Sequence, residues 1–247
     1  VGSNLDAYYV LLGLTAKRAY FSADWVIEDP AHLGFVYAFV DHNDPTHWLV
    51  QTIPALQVRM PAPHAHYGGR LACSFNGNAY TSTRADWRFL HDGTGVDVFF
   101  VGTPTATSPG ASAMLATQNN GTTPGFSLLG TTNGSTWGLN VFKTGGTAYA
   151  SGDRTGVVLG NPTYFNVTVL SGVSNVVLRQ KSTISITGTL ASPDSAINPA
   201  AFTLGRLPGG GTAVFVGTFR SLFLTPVLTS ERGVAQECIR QDTGIFP

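Results

Sequence analysis

The sequence predicts an all-β chain of two packed antiparallel sheets closed by one short C-terminal helix. Three observations predict it. Short apolar runs recur between Asn-Gly, Asp-Gly, Pro-Gly and Gly-Gly pairs, residues 213–224 form a long β pattern apolar on both faces, and an amphipathic segment follows. Many short strands with turn residues about every 8–12 positions indicate a sandwich or barrel. No fixed repeat period marks a propeller or solenoid.

Residues 1–35 form a lead-in, within which 5–25 suits a short helix or a first strand. Residues 34–40 are a β run, and Asp41-His-Asn-Asp-Pro45 after it is a dense turn signal. A second run spans 47–53, and Pro54, Pro61 and Pro63 then mark a loop across the sandwich or a linker. Further strands are expected at 71–75, 86–90, 96–101, 113–116, 126–129, 137–142, 157–159, 164–170, 176–180 and 183–186.

Near the C-terminus a short strand at Phe202 leads to the Pro208-Gly-Gly-Gly211 turn and then to the long strand. There Phe215, Gly217, Phe219 and Phe223 alternate with Val214, Val216, Thr218 and Leu222, the mark of a strand buried on both sides. Pro226 removes a backbone donor and ends it. Thr229 is placed to cap a helix, Glu231 and Arg240 suit its dipole, Val234, Cys238 and Ile239 share its apolar face, and Gly244 stops it.

The 247 residues are read as one domain, 1–247, with 43% apolar residues to build the core. Charged residues make up 11%, under half the roughly 25% of ordinary soluble domains, so the surface is neutral and polar. With net charge +0 and three lysines, the basic footprint of a nucleic-acid or anionic-membrane partner is missing. Neutral ligands and protein partners fit better. Depletion of charge also characterises buried interfaces, so a homo-oligomer is expected. No apolar run reaches the roughly 18 residues of a membrane-spanning helix, and the apolar stretch at 8–14 lacks the basic flank of a secretory signal. Cys73 and Cys238 form no C-x-x-C pair; two buried thiols are expected, with a disulfide as the alternative.

Four segments resemble the motifs of laminin-G-like, concanavalin A-like jelly-roll domains. Leu71-Ala-Cys-Ser-Phe-Asn-Gly-Asn-Ala-Tyr80 is similar to a Phe-Asp/Asn-Gly strand of that family, and Phe202-Thr-Leu-Gly-Arg206 to its x-Leu-Gly-Arg strand. Gly217-Thr-Phe-Arg-Ser-Leu-Phe-Leu with Leu228-Thr-Ser-Glu-Arg is similar to its last strand and helix start. Val40-Asp41, Gln51 and the prolines before Gly68 resemble its lead-in, although Phe39 stands where Trp is common. The resemblance spans roughly residues 37–240. It implies a two-sheet antiparallel jelly-roll sandwich, a superfold that hosts lectins, glycosidases and attachment domains alike.

Catalytic signatures are missing. Glu28, Glu231 and Glu237 are the only glutamates, and no Glu-x-Asp-x-x-Glu strand, Gly-x-Ser-x-Gly elbow or phosphate loop occurs. The chain is therefore expected to be non-enzymatic. A glycoside hydrolase stays open only if distant carboxylates such as Asp86, Asp97 or Asp153 converge. No cofactor is expected; Asp41, Asp44 and the stretch 92–97 carry the hard oxygens calcium takes, but Asp and Asn are equally expected in turns. His64 and His66 suit zinc in spacing but have no third ligand nearby in sequence.

Sugar binding requires an aromatic platform flanked by polar groups. Trp137 with Asn133 and Asn140, and Trp48 with His47 and Asp44, are the candidates, and either tryptophan alternatively belongs to the core. The first expectation is a virion or surface structural module, a phage decoration, fibre or attachment subunit, with cell-surface glycans and other virion or surface proteins as partners. The alternative is a secreted or cell-surface lectin-like domain.

Overall fold

The computed structural model describes residues 19–105, 112–117, 122–130, 136–150, 154–155, 159–180, 183–198, 201–208, 213–228 and 231–243. In chain order the strands are β1 (Ala19–Ser22), β2 (Val26–Glu28), β3 (Val36–Val40), β4 (Trp48–Val50), β5 (Ala62–Pro63), β6 (Leu71–Asn76), β7 (Tyr80–Ser82), β8 (Val96–Pro104) and β9 (Ser112–Ala116). They continue as β10 (Gly125–Gly130), β11 (Thr136–Lys143), β12 (Gly146–Ala150), β13 (Arg154–Thr155), β14 (Thr163–Val169), β15 (Gly172–Gln180), β16 (Thr183–Leu190), β17 (Thr203–Leu204) and β18 (Val216–Thr225), followed by helix α1 (Arg232–Thr243).

Among the described residues an 8-stranded sheet runs β16-β15-β14-β8-β18-β6-β5, with β1 also on β18. A 10-stranded sheet runs β12-β11-β10-β9-β17-β7-β4-β3-β2, with β13 on β11. Each described pairing between strands is antiparallel, as in β18 with β8 and with β6. The expected two-sheet antiparallel sandwich with one C-terminal helix is the architecture observed.

Alternation of side chains places Phe39 of one sheet 5.4 Å, ring to ring, from Phe219 of the other, and Phe75, Tyr80 and Phe215 pack around them. β18 lies between β8 on one edge and β6 and β1 on the other; one of its faces packs between the sheets and the other packs under the helix, which is why both faces are apolar. Phe219, Leu222 and Leu224 point between the sheets, whereas Phe223 points outward under the helix. A register shift between Phe219 and Ser221 changes the phase. The fully buried Arg220 sits at that irregularity, its guanidinium 2.6 Å from Asp24 and donating to the Leu71 carbonyl.

Helix α1 buries Ala235 and Ile239 against Tyr20, Tyr67, Phe99 and Phe223 on the outer face of the 8-stranded sheet. Val234, expected on that face, is 47% exposed, because the i,i+4 pair that meets the sheet is one position later. Arg232 at the helix start pairs with the buried Asp97 at 3.1 Å, and Asp97 also accepts from the Leu228 backbone N–H. The Thr229 cap and the Gly209–Gly211 turn lie outside the described residues.

Residues 86–90, expected as a strand, instead turn through a 3-10 segment at Arg88–Leu90, since the Asp86 carboxylate accepts from both the backbone and the side chain of Arg88. β1 falls within residues 5–25, where a short helix or a first strand is expected; β2, β5, β7, β12 and β13 are additional to the expected strands, and at two to five residues they are too short to show a period. Cys73 is a buried free thiol, which burial holds far above its ordinary pKa, and the Cys238 side chain lies outside the described residues. No helix of the described residues is long and apolar enough to cross a membrane.

Candidate functional site

The end of the 10-stranded sheet formed by β2, β3 and β4 carries the candidate site. Its register sets Val26 opposite Phe39 and Phe39 opposite Leu49. Phe39 and Leu49 are fully buried and Val26 packs on the same core. Side chains alternate along a strand, so Val40 and Trp48 belong to the outer face, and Trp25 stands just before β2 at the same level of the sheet. Val40 pairs with Trp48, and the Val40 N–H donates to the Trp25 carbonyl at 3.1 Å. The two tryptophans are thus separated by two strand spacings, about 10 Å at backbone level.

Both rings are held. Trp25 is 44% exposed and lies over His42 with 3.9 Å between ring centroids. His42 rests 4.4 Å from the Tyr20 ring, with its Nε2 3.0 Å from Ser22 Oγ. The half-buried Trp48 donates its indole N–H to the Pro45 carbonyl at 2.7 Å, and its backbone N–H to Thr83 Oγ1. A ring fixed in this way loses little side-chain entropy on stacking against a ligand.

The turn between β3 and β4 supplies the polar groups. Asp44 accepts from the backbone and the hydroxyl of Thr46, and its other oxygen lies 3.1 Å from His47 Nδ1. The Thr46 hydrogen bonds hold the Asp44 carboxyl below the usual range. Asp41 is buried and accepts from the Tyr20 and Asn43 N–H groups; burial outweighs those bonds and raises its pKa. Asp41 therefore anchors the turn to β1, while Asp44, His47 and the exposed Thr46 face solvent beside Trp48.

His47 and Asp44 face each other across the turn, and Trp48 is anchored to the Pro45 carbonyl within the same turn. Trp25 completes the pair of tryptophans and was not among the expected site residues; its position one residue before the core-facing Val26 is the signal that marks it. The expectation for Trp137 is corrected. Its ring is 2% exposed and packs in the core, 5.7 Å from Phe165 and across the bare Cα of Gly130. Trp137 is in phase with the core residues Leu139 and Val141, so neither face is open to a sugar. Asn140, in the opposite phase, is half-buried opposite Ser127 and Ala150. Asn133 lies outside the described residues. Four strands, β10, β9, β17 and β7, stand between β11 and β4, so Trp137 and Trp48 never belonged to one site.

The remaining acidic candidates have partners. Asp92 accepts from Thr94, Asp86 holds Arg88, and Asp97 holds Arg232; Asp153 lies outside the described residues. His64 and His66 lie 4.8 Å apart ring to ring, on a 3-10 turn. No group of three or more His, Cys, Asp or Glu suited to a metal occurs among the described residues.

No protein-family model matches the sequence, and no curated protein sequence compared with it matches. Solved structures do resemble the fold. The chain is similar to Trypanosoma rangeli sialidase in complex with 2-keto-3-deoxy-D-glycero-D-galacto-2,3-difluoro-nononic acid, with a TM-score of 0.61 and 14% identity over 92% of this chain and 33% of that one. It is similar to domain 4 of AbnA, a GH43 extracellular arabinanase from Geobacillus stearothermophilus, in complex with arabinotriose: TM-score 0.57, 14% identity, 92% of this chain and 98% of that one. A third similar structure is the botulinum neurotoxin serotype D binding domain, with TM-score 0.52, 8% identity, 92% of this chain and 51% of that one.

The chain spans about one third of the sialidase chains it matches. Identities this low carry the fold alone. They nonetheless correct the expectation of a non-enzymatic chain: the same sandwich occurs within sialidase chains, so missing linear motifs do not set this chain apart from enzymes.

Proposed function

We propose that this chain is a glycan-binding β sandwich of the laminin-G-like, concanavalin A-like kind, which takes a sugar chain across the outer face of β2, β3 and β4. The observation that carries the reading is a pair of fixed tryptophans, Trp25 and Trp48, whose backbones flank Val40, with Asp44, His47 and Thr46 in the turn beside Trp48. Sugar rings have apolar C–H faces that stack on indoles and hydroxyl rims that bond to the flanking polar groups. Two platforms about 10 Å apart suit two units of one oligosaccharide rather than a single ring. Further support comes from the uncharged composition and from the likeness to an arabinanase domain solved with arabinotriose.

The finer part of the proposal is display at a virion or cell surface, as an attachment or decoration subunit that assembles as a homo-oligomer. Low charge motivates it, and sedimentation at low concentration tests it: a monodisperse monomer would remove the oligomer. For the site itself, the test is calorimetry with a panel of neutral oligosaccharides that includes arabinotriose. Trp25→Ala and Trp48→Ala are each expected to weaken binding about tenfold or more, equal to about 1.4 kcal/mol, and the double variant to abolish it. Unchanged affinity in the double variant, or no binding across the panel, overturns the reading. The reading uses no metal, so binding in a chelator is expected to equal binding in calcium.

A further inference from the structure

A separate cleft of about 430 Å³ lies beside β6, lined by Phe35, Gln57, Arg59, Met60, Ser74 and Asn78 among others. It forms where the segment 57–60 runs along β3, through the Val36–Val58, Phe35–Arg59 and Gly34–Met60 backbone contacts, and meets the edge of β6. Most of its polar groups already have partners. Gln57 donates to Asp29 and to the Gln51 carbonyl, and its carbonyl oxygen lies 2.9 Å from His32 Nδ1. Asn78 donates to the Leu56 and Gln57 carbonyls and accepts from the Asn76 N–H.

Arg59 is different. Its guanidinium stands 5.4 Å from the centroid of the Phe35 ring, and Phe35 is stacked on its other neighbour, His32, at 3.7 Å and an interplanar angle of 9°. His32 in turn is fixed by the buried Gln57. A chain of contacts thus positions an exposed cation that has no carboxylate partner among the described residues, whereas Arg88, Arg220, Arg232 and Arg240 are each ion-paired. The Ser74 hydroxyl, exposed on β6, is the other open group of the lining. A positioned guanidinium presents its planar fork of donors to a carboxylate.

Resting on the glycan-binding reading, we propose that this cleft is a second subsite that takes a carboxylate-bearing sugar, its carboxylate on the Arg59 guanidinium and a hydroxyl on Ser74. The cleft would give the chain selectivity for acidic over neutral glycans, while the Trp25–Trp48 pair holds neutral units.

The test is calorimetry on the intact chain with a trigalacturonate, with the same trisaccharide reduced to its neutral form, and with acetate. The trigalacturonate is expected to bind at least about tenfold more tightly than the neutral form, and less tightly as salt rises. Arg59→Gln is expected to remove that preference while leaving neutral binding and the unfolding midpoint unchanged, and Arg59→Lys to restore part of it, since charge is kept without the fork. Equal binding of the two trisaccharides, or a preference that survives Arg59→Gln, overturns the subsite but leaves the Trp25–Trp48 reading standing. Acetate competing as strongly as the trigalacturonate shows a simple anion site and also overturns it. Loss of neutral binding in Trp25→Ala/Trp48→Ala with the acidic preference intact supports two separate subsites.

Discussion

The two ends of the 10-stranded sheet each present a tryptophan, and they put it to opposite uses. At the β10–β11 end, Trp137 is in phase with Leu139 and Val141, lies over Gly130 and fills the core. At the β2–β4 end, Trp48 and Trp25 are out of phase with Leu49 and Val26 and stand on the surface. Because a strand has period two, one residue of phase decides between scaffold and site. Composition and proximity to asparagine do not.

The comparison is most easily broken at Trp137. Trp137→Ala is expected to destabilise the fold by about 3–5 kcal/mol, read from urea unfolding, whereas Trp25→Ala, in a ring already 44% exposed, should cost about 1 kcal/mol or less. Similar losses in both would end the distinction. A subtler probe of the same end is Gly130→Ala. The added methyl would meet three atoms of the Trp137 ring at 3.0 Å, and that ring is enclosed by the core, so the expected cost is about 1–3 kcal/mol. A neutral Gly130→Ala would mean that the ring has room to move, as a surface ring does.

Most of this was legible in the sequence, but unevenly. The strands that pair over five or more residues, from β8 to β18, show either alternation or a doubly apolar run, and their positions follow from it. Strands such as β1 and β7 are defined by partners far away in the chain, as Tyr20 opposite Phe223 and Tyr80 opposite Leu204 are, and local pattern alone does not fix their bounds. Trp137 could have been excluded by phase alone, since Trp137 and Asn140 point to opposite faces of β11. Trp48 beside Leu49 was readable in the same way. The cleft at Arg59 was not, because it depends on Phe35, His32, Gln57 and Ser74, which are adjacent only after β3, the segment 57–60 and β6 come together.

At the surface end the expected effects are on binding rather than folding. Trp25→Ala and Trp48→Ala should leave the unfolding midpoint nearly unchanged and lower affinity for neutral oligosaccharides together. Trp48→Phe should retain more than Trp48→Ala, because the stacking face survives although the hydrogen bond to the Pro45 carbonyl is lost. If Trp48→Phe binds no better than Trp48→Ala, the indole anchor rather than the ring face is what the ligand needs.

The smallest effect separates the ends by acid. Asp194 accepts from the Thr144 N–H and hydroxyl, both at 2.7 Å, and from the Ala196 N–H at 2.8 Å. Those bonds hold its pKa down at about 2, against 3.8 for an unperturbed group. A carboxyl depressed in the folded state stabilises it fully above the unfolded value and loses that contribution as pH falls from about 4 to about 2. The bond to Thr144 spans 50 residues and ties the β16–β17 connection to the β11–β12 turn, at the Trp137 end. Asp44, at the other end, is also depressed, but by Thr46 two residues away, so its protonation loosens only a local turn. Lowering the pH from 5 to 2.5 should therefore reduce the hydrogen-exchange protection of the Thr144 amide and shift the unfolding midpoint slightly. Asp194→Asn should remove part of that shift. Asp44→Asn should leave it in place while altering exchange at Thr46 alone. An equal loss of pH dependence in both variants would show that the two turns contribute alike, and that the ends of the sheet differ in their tryptophans but not in how their loops are held.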